Sequence, residues 1–236
     1  MKLSRIRAIT ISIATALAVS TLPSTAFADD PQGSGNRYDL ERNYTSEVSA
    51  ARAFADTVAI SGKWGNPSSK PVLIDVRGAD EYTAGHPEHS ISIPFPRAYR
   101  GPCDVRYPDG NCNTGEATPV YETVSVSEED FVSAVLAAIP KKDTPIYTMC
   151  RTGYRSVLAA NLLVDAGYTN VRNIWEGFVG RHKVDADGNS PLDLNNDGVI
   201  DDLDKDGWRY YSELPYDTRV LPNSINPILE GYYNLD

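Results

Sequence analysis

Short apolar runs alternate with segments of helical periodicity along most of the chain, and this alternation constrains the fold more than any other feature. The apolar runs that predict strands cover residues 71–77, 90–93, 145–149 and 170–174. The periodic segments that predict helices cover residues 45–61, 79–84, 128–139 and 156–166. Strands that alternate with helices are typical of an α/β fold with a mainly parallel central sheet flanked by helices. Ligands of such sheets bind at the carboxyl ends of the strands.

A cysteine lies at one of these strand ends, since Cys150 follows one apolar run and precedes a helical segment. Backbone N–H groups and the positive end of the helix dipole surround a thiol in this position, and they raise its thiolate fraction. The next five residues suit an anion-binding loop with two positive charges: Arg151, Thr152, Gly153, Tyr154 and Arg155. We therefore predict Cys150 to be a nucleophile, although a buried structural thiol is the commoner state of a free cysteine.

A second strand ends in charged residues, Asp75 and Arg77. Because the carboxyl ends of parallel strands meet at one edge of the sheet, both side chains are expected near the Cys150 loop. A buried structural ion pair would give the same sequence pattern.

The first 28 residues predict a secretory signal peptide. They have a basic start, an apolar stretch over residues 8–19 and a small-x-small cleavage site that ends at Ala28. The apolar stretch is shorter than the roughly 20 residues that a membrane span needs, so no span is expected after removal of the signal. The remaining chain predicts a flexible lead over residues 29–43 and a single domain over residues 44–236. We expect the protein to be exported, to the periplasm or outside the cell.

The chain is acidic, with a formal net charge of −10, and loss of the basic signal makes it more negative. A negative surface repels nucleic acid and anionic lipid, so neither is an expected partner.

Three cysteines in an exported protein leave one unpaired. Cys103 and Cys112 lie in a turn-rich insertion over residues 95–126, and an oxidising compartment favours a disulfide between them. Cys150 would then be the free thiol that a nucleophile must be.

A twelve-residue acidic segment in a second insertion, over residues 181–207, has the spacing of a calcium-binding loop. The oxygen ligands predicted from this spacing are Asp193, Asn195, Asp197, Val199 through its carbonyl group, Asp201 and Asp204. Gly198 falls at the sixth position, where such loops turn sharply. The twelfth position holds Asp rather than Glu, and in this the segment resembles dockerin-like loops. We predict a structural calcium ion here; the alternative is a solvated acidic loop.

Several segments together resemble the rhodanese family of sulfurtransferases. The matching pieces are LIDVR at 73–77, EY at 81–82, GH at 85–86, ISIP at 91–94, the loop at 150–156, AGYTNV at 166–171 and GF at 177–178. The resemblance implies a single rhodanese-like domain, with Cys150 as the catalytic residue and Arg155 as the loop arginine that braces the anion site. It also implies supporting roles for Asp75 and Arg77, which would pin the loop or line its mouth. Catalysis in this family requires no cofactor.

The resemblance also implies a two-step reaction through a persulfide on Cys150. The donor would be a small sulfur-containing anion, either thiosulfate or a persulfide, and the acceptor a thiophile, with an exported protein as one candidate. Related phosphatases carry one more residue between the cysteine and the arginine, so the shorter loop here favours sulfur over phosphate chemistry. The alternative is a non-catalytic rhodanese-fold module that binds an exported partner or carries sulfur.

Overall fold

The computed structural model describes residues 37–59, 70–100 and 123–233. The signal segment and the two cysteines of the predicted disulfide, Cys103 and Cys112, lie outside the described residues. In chain order the main elements are β1 (Ser46–Val48), α1 (Ala50–Phe54), β2 (Val72–Asp75), α2 (Ala79–Thr83), β3 (His86–Pro87), β4 (Ile91–Ser92), β5 (Arg97–Arg100), β6 (Thr123–Ser125), α3 (Glu128–Ala138), β7 (Ile146–Met149), α4 (Tyr154–Asp165), β8 (Val171–Ile174) and β9 (Tyr216–Asp217).

Five strands form the central sheet in the spatial order β1–β8–β7–β2–β4, and every neighbouring pair is parallel. This confirms the predicted α/β fold with a mainly parallel sheet. The register sets Asp75 opposite Met149, so that β2 and β7 end at the same level. Cys150 and Asp75 therefore lie at the same edge of the sheet.

The alternation of side chains along the strands buries both faces of the sheet. On one face, strand residues pack against α3 and α4: Ile74, Ile146 and Val171 with Phe131, Val135, Val157 and Leu163. On the other face, strand residues pack against α1 and the segment after β8: Leu73, Tyr147, Met149 and Ile174 with Ala50, Ala53, Phe178 and Trp208. The helices thus flank the sheet, and the loop between β7 and α4 is fixed at both of its ends.

The N-terminal part differs from the prediction of one helix over residues 45–61. Residues 46–48 instead form β1, which pairs with β8 and becomes the edge strand of the sheet. Ser49 then caps α1 by accepting a hydrogen bond from the N–H of Arg52 at 3.1 Å, so the helix begins only at Ala50. A π-helical turn, Ala55–Ala59, continues it. Helix therefore forms from Ala50 onward, while Ser46–Val48 pair with the sheet instead.

Residues 37–43, which we expected in a flexible lead, lie against the domain. The amide N–H of Asn43 donates to Asn161 at 3.0 Å, and Asn161 donates to the carbonyl oxygen of Glu41 at 2.8 Å. The lead therefore approaches α4 before the first strand begins.

The two segments predicted as insertions, 95–126 and 181–207, follow β4 and β8 in the chain. In the first, β5 and β6 pair in antiparallel orientation, with a bulge between Arg97 and Tyr99. The second is closed at its base by an antiparallel bridge between His182 and Lys205. No helix within residues 37–59, 70–100 and 123–233 is long and apolar enough to cross a membrane.

Candidate active site

The loop between β7 and α4 turns at Gly153, which is the N-cap residue of α4 and has φ of 99°. A side chain is strained at this backbone angle. A Cβ atom would also lie 2.3 Å from the carbonyl oxygen of Trp175. Only glycine fits here, and the tight turn folds the loop back over Cys150.

The sulfur of Cys150 lies within the cup that this turn forms. The N–H of Gly153 donates to Sγ at 3.1 Å, and the hydroxyl of Ser156 donates to it at 3.4 Å. Cys150 is a free thiol with only 1% of its surface exposed. The first N–H groups of α4 have no partner within the helix, and they carry the positive end of its dipole. The arrangement stabilises negative charge on the sulfur.

A second segment, residues 177–180, holds the loop from its other side. The N–H of Phe178 donates to the carbonyl oxygen of Cys150 at 2.8 Å. The N–H groups of Val179 and Gly180 both donate to the carbonyl oxygen of Arg151 at 3.0 Å. These bonds fix the beginning of the loop, as the Gly153 turn fixes its end.

Arg155 forms a bidentate ion pair with Glu81 of α2. Its Nη1 and Nη2 atoms lie 2.7 and 2.8 Å from the two carboxylate oxygens. Burial alone would raise the pKa of Glu81, but the guanidinium of Arg155 outweighs it and lowers the pKa to about 2. The side chains are 12% and 11% exposed, so the pair is largely desolvated. Arg155 thus braces the loop against α2.

The sequence motif EY contains Glu81, but we predicted no role for Glu81. A glutamate three residues after the helix cap is normally explained by capping alone, and the N–H of Gly78 does donate to Glu81 at 3.3 Å. Its second function depends on Arg155, which lies 74 residues away in the chain.

Asp75 and Arg77 form a buried ion pair at the end of β2. Nη2 of Arg77 lies 2.6 Å from Oδ2 of Asp75 and 2.8 Å from the carbonyl oxygen of Gly85. The guanidinium also lies over the ring of Phe178, 4.0 Å from its centroid. The pair is therefore linked to the Cys150 loop through Phe178, whose N–H binds the loop.

The remaining loop residues, Arg151, Thr152 and Tyr154, are partly or largely exposed. Tyr154 is 45% exposed, and its ring meets that of Tyr38 edge to face at 5.2 Å. The hydroxyl of Tyr38 donates to the carbonyl oxygen of Thr152 at 3.1 Å. Arg151 is half-buried beside them. Tyr38 was not predicted, because it is 114 residues from Thr152 in the chain.

Comparison with protein-family models matches residues 64–183 to the rhodanese-like domain. This region covers half of the chain and includes every element of the Cys150 site except the Tyr38 contact. The chain belongs to the rhodanese-like family. The family is associated with sulfurtransferase activity, which agrees with the thiol chemistry of the site.

Among curated relatives, an uncharacterized Rickettsia prowazekii protein, RP600, is 43% identical over 56 residues, which cover 24% of this chain and 43% of that protein. A Schizosaccharomyces pombe protein, provisionally named a mitochondrial thiosulfate sulfurtransferase, is 28% identical over 43% of this chain and 56% of its own length. The chain spans about half the length of the curated relatives it matches.

Among solved structures, Rv0390 from Mycobacterium tuberculosis is 22% identical and is matched over 74% of this chain and 98% of its own, with a TM-score of 0.43. A rhodanese with anions from Escherichia coli is 21% identical over 44% of this chain and 82% of its own, with a TM-score of 0.29.

The acidic loop at 193–204 lies beyond the region that matches the rhodanese-like family. Oδ2 of Asp193 accepts the N–H of Gly198 at 2.8 Å, which closes the predicted sharp turn. Asp204 is fully buried and accepts backbone N–H groups from Leu194 at 2.7 Å and from Asp201 at 2.9 Å. The hydrogen bond from Asp201, followed by that from Leu194, lowers the pKa of Asp204.

The other predicted ligands of this loop bind its own backbone. Asn195 accepts the N–H of Asp197 at 3.0 Å, Asp197 accepts that of Val199 at 2.8 Å, and Asp201 accepts that of Leu203 at 2.8 Å. In the part of the chain that the structure describes, no group of three or more His, Cys, Asp and Glu side chains is placed to hold a metal ion. The calcium site therefore stays a prediction.

Proposed function

We propose that the protein is an exported sulfurtransferase that moves sulfane sulfur through a persulfide on Cys150. The observation that carries this proposal is the position of Sγ, which receives the N–H of Gly153 and the hydroxyl of Ser156 at the N-terminus of α4. These donors favour a thiolate, which is the nucleophilic form of cysteine.

In the first step the thiolate of Cys150 attacks the outer sulfur of thiosulfate. A new S–S bond forms to Cys150, the S–S bond of the donor breaks, and sulfite leaves with its electron pair. The same donors that stabilise the thiolate then face the negative charge of the persulfide. Arg151 contributes positive charge at the start of the loop, and Arg155 keeps the loop in place through Glu81.

In the second step a thiophilic acceptor attacks the outer sulfur of the persulfide. The S–S bond to Cys150 breaks, and the thiolate is restored. No proton has to be transferred to an ester oxygen, so the site needs no general acid. Neither step calls for a cofactor. A thiol on an exported protein is a candidate acceptor.

Turnover kinetics test this function. With thiosulfate as donor and cyanide as acceptor, thiocyanate should form with ping-pong kinetics, since sulfur rests on the enzyme between the two half-reactions. The Cys150→Ser variant should form none. Sequential kinetics, or equal rates with and without Cys150, would contradict the proposal.

The second candidate is a non-catalytic module that binds an exported partner. It is favoured by the enclosure of Cys150, which is 1% exposed, and by the exposed ring of Tyr154, which meets Tyr38 beside the loop. A module of this kind would give no thiocyanate with any sulfane donor, and its surface would bind the same partner after Cys150→Ser.

We further propose that the loop at 193–204 binds one structural calcium ion. The sequence spacing supports this, together with Oδ1 of Asp193, which is buried and has no hydrogen-bond partner among the described residues. Loops of extracellular modules bind calcium with dissociation constants on the order of 10⁻⁴–10⁻³ M. At a concentration about ten times the dissociation constant, binding stabilises the fold by about 1.4 kcal/mol.

A thermal melt tests the calcium proposal. The midpoint should rise with millimolar calcium relative to chelator, and this rise should be lost in Asp193→Asn. Magnesium serves as the control, because it rarely occupies an all-protein cage of this type. An identical midpoint with calcium and with chelator would contradict the proposal.

A further inference from the structure

The peptide unit between Thr152 and Gly153 is bound at both of its polar ends. Its N–H, which belongs to Gly153, donates to Sγ of Cys150 at 3.1 Å. Its carbonyl oxygen, which belongs to Thr152, lies 3.1 Å from the hydroxyl of Tyr38, and the same hydroxyl lies 2.5 Å from the side-chain oxygen of Thr152, so Tyr38 holds this residue at two atoms. One peptide plane thus connects the hydroxyl of Tyr38 to the sulfur of Cys150.

Hydrogen bonds in such a chain strengthen one another. When the carbonyl oxygen of a peptide accepts a hydrogen bond, the N–H of the same peptide becomes a better donor, by about 10–30%. The bond also resists rotation of the peptide, which would turn the N–H of Gly153 away from the sulfur. Both effects act more strongly on an ionised sulfur, because hydrogen bonds to charged groups are the stronger ones.

Tyr38 is held in place by its neighbours, so its hydroxyl is presented to the loop in one orientation. Its ring meets Tyr154 edge to face, and the guanidinium of Arg181 lies 5.6 Å from its centroid. The preceding residue, Arg37, forms an ion pair with Asp206 at 2.8 Å, and both side chains are about nine-tenths buried. Arg37 also lies over the ring of Trp175, at 4.8 Å.

The residues that hold Arg37 and Tyr38 in place also contact the segments that fix the Cys150 loop. The carbonyl oxygen of Trp175 is the atom that the Gly153 turn approaches so closely. Asp206 also accepts the N–H of Arg181 at 2.9 Å, beside the segment that holds the loop. Residues 37 and 38 precede the region that matches the rhodanese-like domain, which begins at residue 64. The contact is therefore an addition to the matched domain.

We infer that Tyr38 is a positioning residue for the reactive sulfur, acting through the Thr152–Gly153 peptide to keep its N–H directed at Cys150. This inference rests on the proposed function, in which Cys150 reacts as a thiolate. Tyr38 contacts neither Cys150 nor its substrate in this account; its effect passes through the loop backbone.

The experiment measures how the alkylation rate of Cys150 by iodoacetamide depends on pH. Iodoacetamide is neutral, so the charge of the reagent does not disturb the comparison, and peptide mapping reads Cys150 separately from Cys103 and Cys112. Tyr38→Phe removes the hydroxyl but keeps the ring contacts. Tyr168→Phe is the matched control, because the Tyr168 hydroxyl also donates to a backbone carbonyl, that of Ile139 at 2.7 Å, away from the loop.

In Tyr38→Phe the midpoint of the pH profile should rise by about 0.3 pH unit or more, which corresponds to about a twofold slower reaction below the midpoint. In Tyr168→Phe it should stay at the wild-type value. An unchanged or lowered midpoint in Tyr38→Phe, or an equal rise in both variants, would overturn the inference. Treatment of the same wild-type sample with thiosulfate tests the proposed function separately, since sulfur uptake does not enter the alkylation profile.

Discussion

Replacing Glu81 by glutamine tests the ion pair that braces the active-site loop. The substitution keeps the size of the side chain and removes its charge, so Arg155 keeps its position but loses its counter-ion. Both side chains are nearly nine-tenths buried, and solvent can do little to compensate. Removing one partner of a buried pair is costly because the other charge remains desolvated.

The pKa of Glu81 sets the expected magnitude. It falls from the ordinary 4.5 to about 2, because the attraction of Arg155 exceeds the cost of burial. Each pKa unit corresponds to about 1.4 kcal/mol, so the ionised carboxylate contributes about 3 kcal/mol to the free energy of unfolding. The folded-state pKa is the lower one, so this contribution is complete above about pH 4.5 and is lost as the pH falls toward 2. At pH 3 about 1.5 kcal/mol should remain.

Urea denaturation of wild type and Glu81→Gln at pH 7 and pH 3 measures this difference. We expect the variant to be less stable by about 3 kcal/mol at pH 7, with the gap about halved at pH 3. Asp217→Asn is the matched control, because Asp217 and Arg219 form a similar bidentate pair whose arginine is 82% exposed. That variant should lose at most about 1 kcal/mol, because solvent screens an exposed pair. A penalty for Glu81→Gln that is small, or that is equal at the two pH values, would refute the reasoning.

Two further substitutions probe the loop itself. Gly153→Ala should destabilise the protein by several kcal/mol in urea denaturation, since the new Cβ meets the carbonyl oxygen of Trp175. Gly188→Ala is the control, because Gly188 has φ of 74° and nothing lies within 4 Å of its Cβ. This control should cost only the roughly 1–2 kcal/mol of backbone strain. Equal penalties would show that steric contact is not what requires glycine. Ser156→Ala removes one donor to the sulfur and should slow alkylation of Cys150 at neutral pH by about three- to tenfold; an unchanged rate would mean that this hydroxyl does not stabilise the thiolate.

The part of the site that is contiguous in sequence was predictable. Cys150 and Arg155 lie on one strand–loop–helix unit, where helix N-terminal N–H groups and nearby cations determine the chemistry. The structure brings Asp75 and Arg77 to the same sheet edge, as parallel strands require.

The partners of the loop could not be read from the sequence, because they come from distant segments. Glu81 and Tyr38 lie 74 and 114 residues from the loop residues they bind. A local role, such as helix capping, already accounts for a glutamate at position 81. No periodicity in the sequence indicates the contact between Glu81 and Arg155 or between Tyr38 and Thr152. The first strand, Ser46–Val48, was missed for a related reason: three residues pair only because β8 offers a free edge.

In the proposed reaction the sulfur of Cys150 carries the transferred atom. Intact mass spectrometry of purified protein after treatment with thiosulfate tests it most directly. We predict an added mass of about 32 Da, one sulfur atom, located on the Cys150 peptide, removed by cyanide and missing from Cys150→Ser. An unchanged mass with thiosulfate and with a persulfide donor, or an adduct that persists in Cys150→Ser, would contradict the account.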